Sequence, residues 1–113
     1  MWLAIWLLLD WCGLHAEPPH PQIPEIVESY YGDETSRALG VFWCESLHTP
    51  SAVSATNDHG LTQISQTYWG EVYDHLWDQR YDIHVSVKMS HRIWTWGELK
   101  FKDGWLLWTC GRL

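Results

Sequence analysis

Positive charge is scarce over most of this chain. Residues 1–79 hold a single Lys or Arg, Arg37, against eleven acids, whereas residues 80–113 hold six basic residues against three. A net charge of −7 argues against nucleic acid as a partner, because neutralising phosphates needs a basic face. It also departs from the cationic character common in enzymes that bind anionic cell walls. Long apolar runs are missing as well. Trp2–Leu9 is eight residues long and is interrupted by Asp10, too short to cross a bilayer as a helix. Seven histidines are present, and His84 and His91 would lie two helical turns apart, but there is no His-x-x-x-His pair and no His-Glu-x-x-His motif. No metal site and no cofactor is expected. No internal repeat is visible.

What is present at the N-terminus reads as an export signal. The short apolar run followed by Leu14-His15-Ala16 resembles a signal-peptide core and cleavage site over residues 1–16, although the basic residues that normally precede such a core are missing. A retained N-terminal anchor and a buried N-terminal segment are the competing interpretations. Cys12 follows Asp10 and Trp11 rather than the small residues of a lipoprotein signal, so lipidation is not expected. Four of the five prolines fall between Glu17 and Pro24, which predicts an extended, semi-rigid tether over 17–24. The remainder, 25–113, has the length of one modest domain.

Within that domain the residue patterns predict a mainly α fold with a small β hairpin. Pro24 fits a first helical position, and Ile26, Val27, Tyr30 and Tyr31 form an apolar stripe stopping at Gly32. Asp33 is a plausible N-cap for a second helix in which Leu39, Phe42, Trp43 and Ser46 fall on one face and which Thr49-Pro50 terminates. Glu45 then lies in its last turn. Asn57-Asp58-His59-Gly60 is a turn signal between two short extended runs. Tyr68–Trp77 reads as a third helix, and Asp82 caps a fourth with Val85, Met89, Ile93 and Trp96 on one stripe. The remainder, Gly97 to Leu113, is expected to be a less regular segment in which Trp105 and Trp108 pack.

Several segments carry a resemblance to a known family. Trp43-Cys44-Glu45-Ser46, Ala52-Val53-Ser54, Asn57 to Ile64 and the closing Trp108-Thr109-Cys110-Gly111 together resemble the lysozyme-like domain of soluble lytic transglycosylases and goose-type lysozymes, in its small secreted or phage-borne form. The resemblance runs from about Ile26 to Cys110 and implies an α+β lysozyme-like fold. It also implies a disulfide between Cys44 and Cys110, with which parity agrees once Cys12 belongs to the leader. Peptidoglycan glycan strands are the implied partner of a monomeric protein that is secreted, periplasmic or carried on a virion.

The implied chemistry centres on Glu45. Cleaving a glycosidic bond needs a proton delivered to the leaving oxygen while positive charge develops at the anomeric carbon. Val41 and Phe42 one turn back, and the carbonyl end of a helix, favour a carboxyl that keeps its proton. The pattern is that of the general acid in the well-known lysozyme case. The resemblance assigns substrate contacts to Ser46 beside the acid and to Gln63 and Ile64 of the Gly-Leu-x-Gln-Ile segment. Asp58 is the nearest second carboxylate, and it serves equally well as a turn residue bonding its own backbone. Tyr68, Trp69 and Tyr81 can offer faces to sugar rings or pack in the core. Ser65 and Ser86 stand where many relatives carry asparagine. Those departures motivate the alternative of a non-catalytic peptidoglycan-binding or virion structural module. One acid leaves two outcomes open, hydrolysis or internal attack by the muramic acid O6 hydroxyl, and the want of a clear second carboxylate favours the latter.

Overall fold

The computed structural model describes residues 20–113. The expected leader with Cys12, and residues 17–19 of the expected tether, lie outside them. The first helix, α1, spans Gln22–Tyr31 and buries Ile23, Val27 and Tyr31, a single stripe at four-residue spacing. It therefore starts inside the expected tether. Ile23 is 1 % exposed, so its burial draws the chain into helix ahead of Pro24. Pro24 is tolerated there because the first turn's N–H groups have no intrahelical acceptor in any case. Gly32, at φ 52°, stops the helix as expected, its N–H returning to the Glu28 carbonyl.

Asp33 is not the cap of the second helix. A 3-10 turn over Gly32–Glu34 leads directly into α2, Thr35–Ser46, whose N-cap position is Glu34 without a side-chain cap bond. The Thr35 hydroxyl donates to the Gly32 carbonyl at 2.6 Å and closes that turn. α2 buries Ala38, Val41, Phe42 and Ser46, and ends when Leu47 turns left-handed at φ 55°, ahead of Thr49-Pro50.

The hairpin is smaller than its turn signals suggest, and its turns are placed differently. β1 is Asp58–His59 and β2 is Ile64–Ser65, antiparallel with Asp58 opposite Ser65 and His59 opposite Ile64; Val53 adds a single bridge to His59. Asp58 and His59 are thus strand residues flanked by two turns. In the first, the Asn57 N–H bonds Ser54; in the second, the Gln63 N–H bonds Gly60. The positive φ of Asn57 and of Gly60 is what separates the turns, one on either side of the strand.

The expected third helix is two single turns, α3 (Gln66–Trp69, capped by Ser65) and α4 (Asp74–Trp77). Gly70 packs back on the Gln66 carbonyl and the chain turns again before α4, so Trp69, Tyr73, Leu76 and Trp77 reach the core edge from two separate helical turns and the link between them rather than from one helix. Neither turn buries a residue completely.

The longest element, α5, is Ile83–Phe101, and Asp82 caps it as expected by accepting the Val85 N–H at 3.0 Å. Its buried line is Ser86, Val87, Met89, Ser90, Ile93 and Gly97. The apolar stripe drawn from sequence is therefore rotated, and Trp96 is 43 % exposed. Small residues occupy the buried line because neighbours cross closely there. A Cβ on Gly97 would stand 2.8 Å from the Gly104 Cα. After α5, a 3-10 turn over Gly104–Leu107 folds back along it, and a second over Cys110–Arg112 returns to α2. Trp105 stacks on Tyr31, with ring centroids 5.5 Å apart, and Phe42 meets both Trp105 and Trp108 edge-on. The Cys44–Cys110 disulfide then ties the end of α2 to the C-terminal segment. The molecule is mainly helical with one two-stranded antiparallel sheet, and no described helix is long and apolar enough to cross a membrane.

Candidate active site

Where α2 ends, the hairpin begins and the C-terminal segment returns, a cleft of about 780 Å³ opens. Glu45 reaches it from the last turn of α2. One face of α2 is held against the core by Ala38, Val41 and Phe42, so the direction of Glu45, three residues past Phe42, is fixed by apolar packing. Its Oε1 accepts the backbone N–H of Cys110 at 2.9 Å. Since Cys110 is bonded to Cys44, the residue before Glu45, the disulfide and this hydrogen bond form a small ring that fixes the carboxylate.

The hairpin supplies Asp58, Gln63, Ile64 and Ser65. Asp58 Oδ2 accepts the Thr56 hydroxyl at 2.6 Å and the Ser54 hydroxyl at 3.2 Å, and the Ser54 hydroxyl oxygen accepts the Asp58 N–H. The carboxylate both lines the cleft and ties up its own loop. Gln63, at φ 54°, donates its side-chain amide to the carbonyls of Gly60 and Ala52 at 3.0 and 3.3 Å, so what it can offer a ligand is its carbonyl oxygen. Ile64 forms an apolar floor at 1 % exposure. Beyond β2, α3 adds Tyr68, 77 % exposed, and Trp69, whose ring meets Trp96 edge-on at 5.6 Å.

The expected site residues divide into two groups. Glu45, Asp58, Gln63, Ile64 and Tyr68 meet in the cleft, but Ser46, Tyr81 and Ser86 do not line it. Ser46 is buried, and its hydroxyl is shared between the carbonyls of Phe42 at 3.1 Å and Leu61 at 2.6 Å; it joins α2 to the hairpin turn. Ser86 is fully buried against Thr62, with hydroxyl oxygens 2.9 Å apart. Tyr81 belongs to a polar knot behind the hairpin. There His59 Nδ1 accepts the Arg80 Nε–H at 3.2 Å and the Tyr81 hydroxyl at 2.9 Å, while Nε2–H donates to Asn57 Oδ1 at 2.7 Å. Those partners specify a neutral imidazole. Burial, with the Arg80 charge acting in the same direction, holds the His59 pKa below the ordinary histidine value. Arg80 in turn lies over the Tyr81 and Trp77 rings, 4.5 and 5.1 Å from their centroids.

Other residues enter the cleft that sequence reasoning did not select. Thr109 and Arg112 arrive from the C-terminal segment, and Trp96 and Leu106 from the far end of the cleft. The Trp108-Thr109-Cys110 segment was a sufficient signal for the first two, since a chain that returns to Cys44 passes beside Glu45. Trp108 itself is buried, its indole N–H donating to the Thr62 carbonyl at 2.7 Å, and so fastens the C-terminal segment to the hairpin. His84 and His91 are occupied otherwise than as a metal pair, both contacting the Tyr30 ring. Among the described residues no group of three or more His, Cys, Asp or Glu side chains is placed to hold a metal ion. No protein-family model, curated protein or solved structure matches this chain.

Proposed function

We propose that this protein is a peptidoglycan-cleaving glycosidase, exported from the cell or carried on a virion, that cuts the β-1,4 bond between N-acetylmuramic acid and N-acetylglucosamine with Glu45 as its acid and base. The observation that carries the reading is the setting of Glu45: a carboxyl group whose Oε1 is fixed by a backbone N–H in a cleft that also holds an amide side chain and aromatic rings. That combination suits N-acetylated sugars, whose rings stack on aromatics and whose acetamido N–H needs an acceptor such as the Gln63 carbonyl. Glu45 gives its proton to the leaving oxygen of N-acetylglucosamine as the bond to C1 of muramic acid breaks. The resulting carboxylate then takes the proton of the muramic acid O6 hydroxyl as that oxygen closes on C1. No water is consumed, no cofactor is needed, and the product ends in a 1,6-anhydro sugar. Internal attack is favoured over hydrolysis because Asp58 is already engaged by the Ser54 and Thr56 hydroxyls of its own loop.

Digestion of purified sacculi tests this. Glu45→Gln keeps the shape of the side chain and is expected to lose on the order of 10²–10⁴-fold in cleavage rate, with Asp58→Asn losing much less. The products should be anhydro-muropeptides, each lighter by one water than its hydrolysed counterpart. Wild-type rates in Glu45→Gln would defeat the assignment, and reducing-end products with an equally impaired Asp58→Asn would mean hydrolysis by two carboxylates. A second reading, a non-catalytic peptidoglycan-binding or virion module, is favoured by Ser65, which stands in the cleft wall where many members of the resembled family carry asparagine. Binding to sacculi without any released muropeptide would establish it.

A further inference from the structure

Arg112 is the single Lys or Arg lining the cleft among the described residues, in a protein of net charge −7 whose cleft also contains Glu45 and Asp58. No carboxylate of the described residues lies within ion-pair distance of its guanidinium. The side chain is nevertheless oriented. Its Nε–H donates to the Trp108 carbonyl and one Nη2–H to the Thr109 hydroxyl, each at 3.4 Å. A guanidinium has five N–H donors, so three remain, and two of them, on Nη1 and Nη2, form the parallel pair that grips a carboxylate in bidentate fashion. Arg112 is two residues from Cys110, whose N–H holds Glu45, so a ligand it grips is held beside the acid. A neutral polysaccharide would give this cation nothing to pair with.

We infer that Arg112 is a specificity-determining residue that binds a carboxylate carried on the substituent of the sugar at the cleavage point, the lactyl-peptide arm of muramic acid. The inference rests on the glycosidase reading for its substrate class. It explains how a strongly acidic protein accepts an anionic strand: the one cation of the cleft stands where the strand's own carboxylate arrives. The carboxylate has two sources, the lactyl group itself when the peptide has been removed, or the stem peptide when it is present.

Calorimetric titration of the full chain carrying Glu45→Gln, which prevents turnover, separates these cases. The three ligands are a chito-oligosaccharide without carboxylates, amidase-stripped alternating N-acetylglucosamine–N-acetylmuramic acid strands, and the same strands bearing stem peptides. Adding Arg112→Gln is expected to weaken a carboxylated ligand roughly tenfold more than the chito-oligosaccharide, with Arg112→Lys recovering part of the loss. A greater effect on stripped strands identifies the lactyl carboxylate; a greater effect on peptide-bearing strands identifies the stem. Because Arg112 also braces Trp108 and Thr109, the same loss must appear when the ligand's carboxyl groups are amidated and the protein is left with Arg112 intact. Equal weakening of all three ligands, no weakening, or binding of none of them overturns the inference. Discrimination through Arg112 in a wild-type chain that releases no muropeptide would uphold it and reject the glycosidase reading instead.

Discussion

The two sides of the cleft are built by different physics. The Glu45 side rests on apolar burial and a covalent bond: α2 lies on Phe42, Val41 and Ala38, with Trp105 and Trp108 behind it and the Cys44–Cys110 bridge closing it. The hairpin side has strands of two residues each; it sinks Leu61 and Ile64 into the core but holds its own loops by polar contacts. Ser54, Thr56 and Asp58 bond one another, Gln63 caps carbonyls, and His59 joins Asn57 to Tyr81 and Arg80. Burial is non-directional and resists local loosening, whereas each hydrogen bond contributes about 0.5–1.5 kcal/mol and depends on geometry. Glu45 thus sits on the rigid side and the polar side chains of the hairpin on the adjustable one.

The largest disturbance should come from the rigid side. Phe42→Ala removes a fully buried ring touching Tyr31, Trp105 and Trp108, and is expected to cost about 3–5 kcal/mol, read from chemical denaturation. Next is the bridge. In the loop-entropy model, opening a closure of 66 residues by Cys44→Ser with Cys110→Ser should cost about 4 kcal/mol. It should also impair cleavage at temperatures where the variant remains folded, because the Cys110 N–H that holds Glu45 loses its anchor.

On the hairpin side the effects should be smaller and local. Gly60 has φ 82°, and a Cβ there would stand 2.6 Å from the Arg80 carbonyl oxygen, so Gly60→Ala is expected to cost about 1–3 kcal/mol. Amide exchange should show the loss concentrated in residues 52–65 and the turn around Arg80 that the new Cβ displaces, with the body of α5 protected as before. A global loss matching that of Phe42→Ala would show that the two sides are not separable. The smallest effect should be that of acid. His59 has a pKa held below its ordinary value, so the unfolded chain takes up a proton that the native state refuses. Its contribution to stability is complete above the unfolded value of about 6.5 and is lost as pH falls from there towards the lowered native value. His48 and His91, lowered by burial, act in the same direction. Thermal melts between neutral pH and pH about 5 should therefore fall less steeply in His59→Gln than in the wild type.

The same division explains what could be read from the sequence. The long helix was legible from its Asp82 cap to Trp96 because capping and the 3.6-residue period are local rules; its continuation from Gly97 to Phe101 was not, since Gly97 interrupts the apolar pattern. Glu45, Gln63 and Ile64 were legible as cleft residues through motif resemblance, and their convergence depends on the core as a whole. The rotated face of α5 was not legible, because Ser86 and Gly97 stand at close crossings and Ser90 bonds the Tyr31 hydroxyl, so the buried line is not an apolar one. Tyr68–Trp77 failed as a helix for a related reason: aromatic spacing reports packing, and here Gly70 and two turns deliver the same side chains without a continuous helix. Ser46 looked like a substrate contact from its place beside Glu45, yet successive helical residues point about 100° apart, and its direction is inward.

Joining Cys44 to Cys110 also changes the topology of the polypeptide. Both sides of the cleft lie on a closed loop, from the residue before Glu45 to the residue whose N–H grips its side chain. A single nick in the exposed stretch at Ala55 and Thr56 would therefore release neither fragment. The N-terminal piece would keep Glu45, the C-terminal piece would keep Asp58, Gln63 and Arg112, and one sulfur–sulfur bond would hold the halves of the cleft as a two-chain molecule.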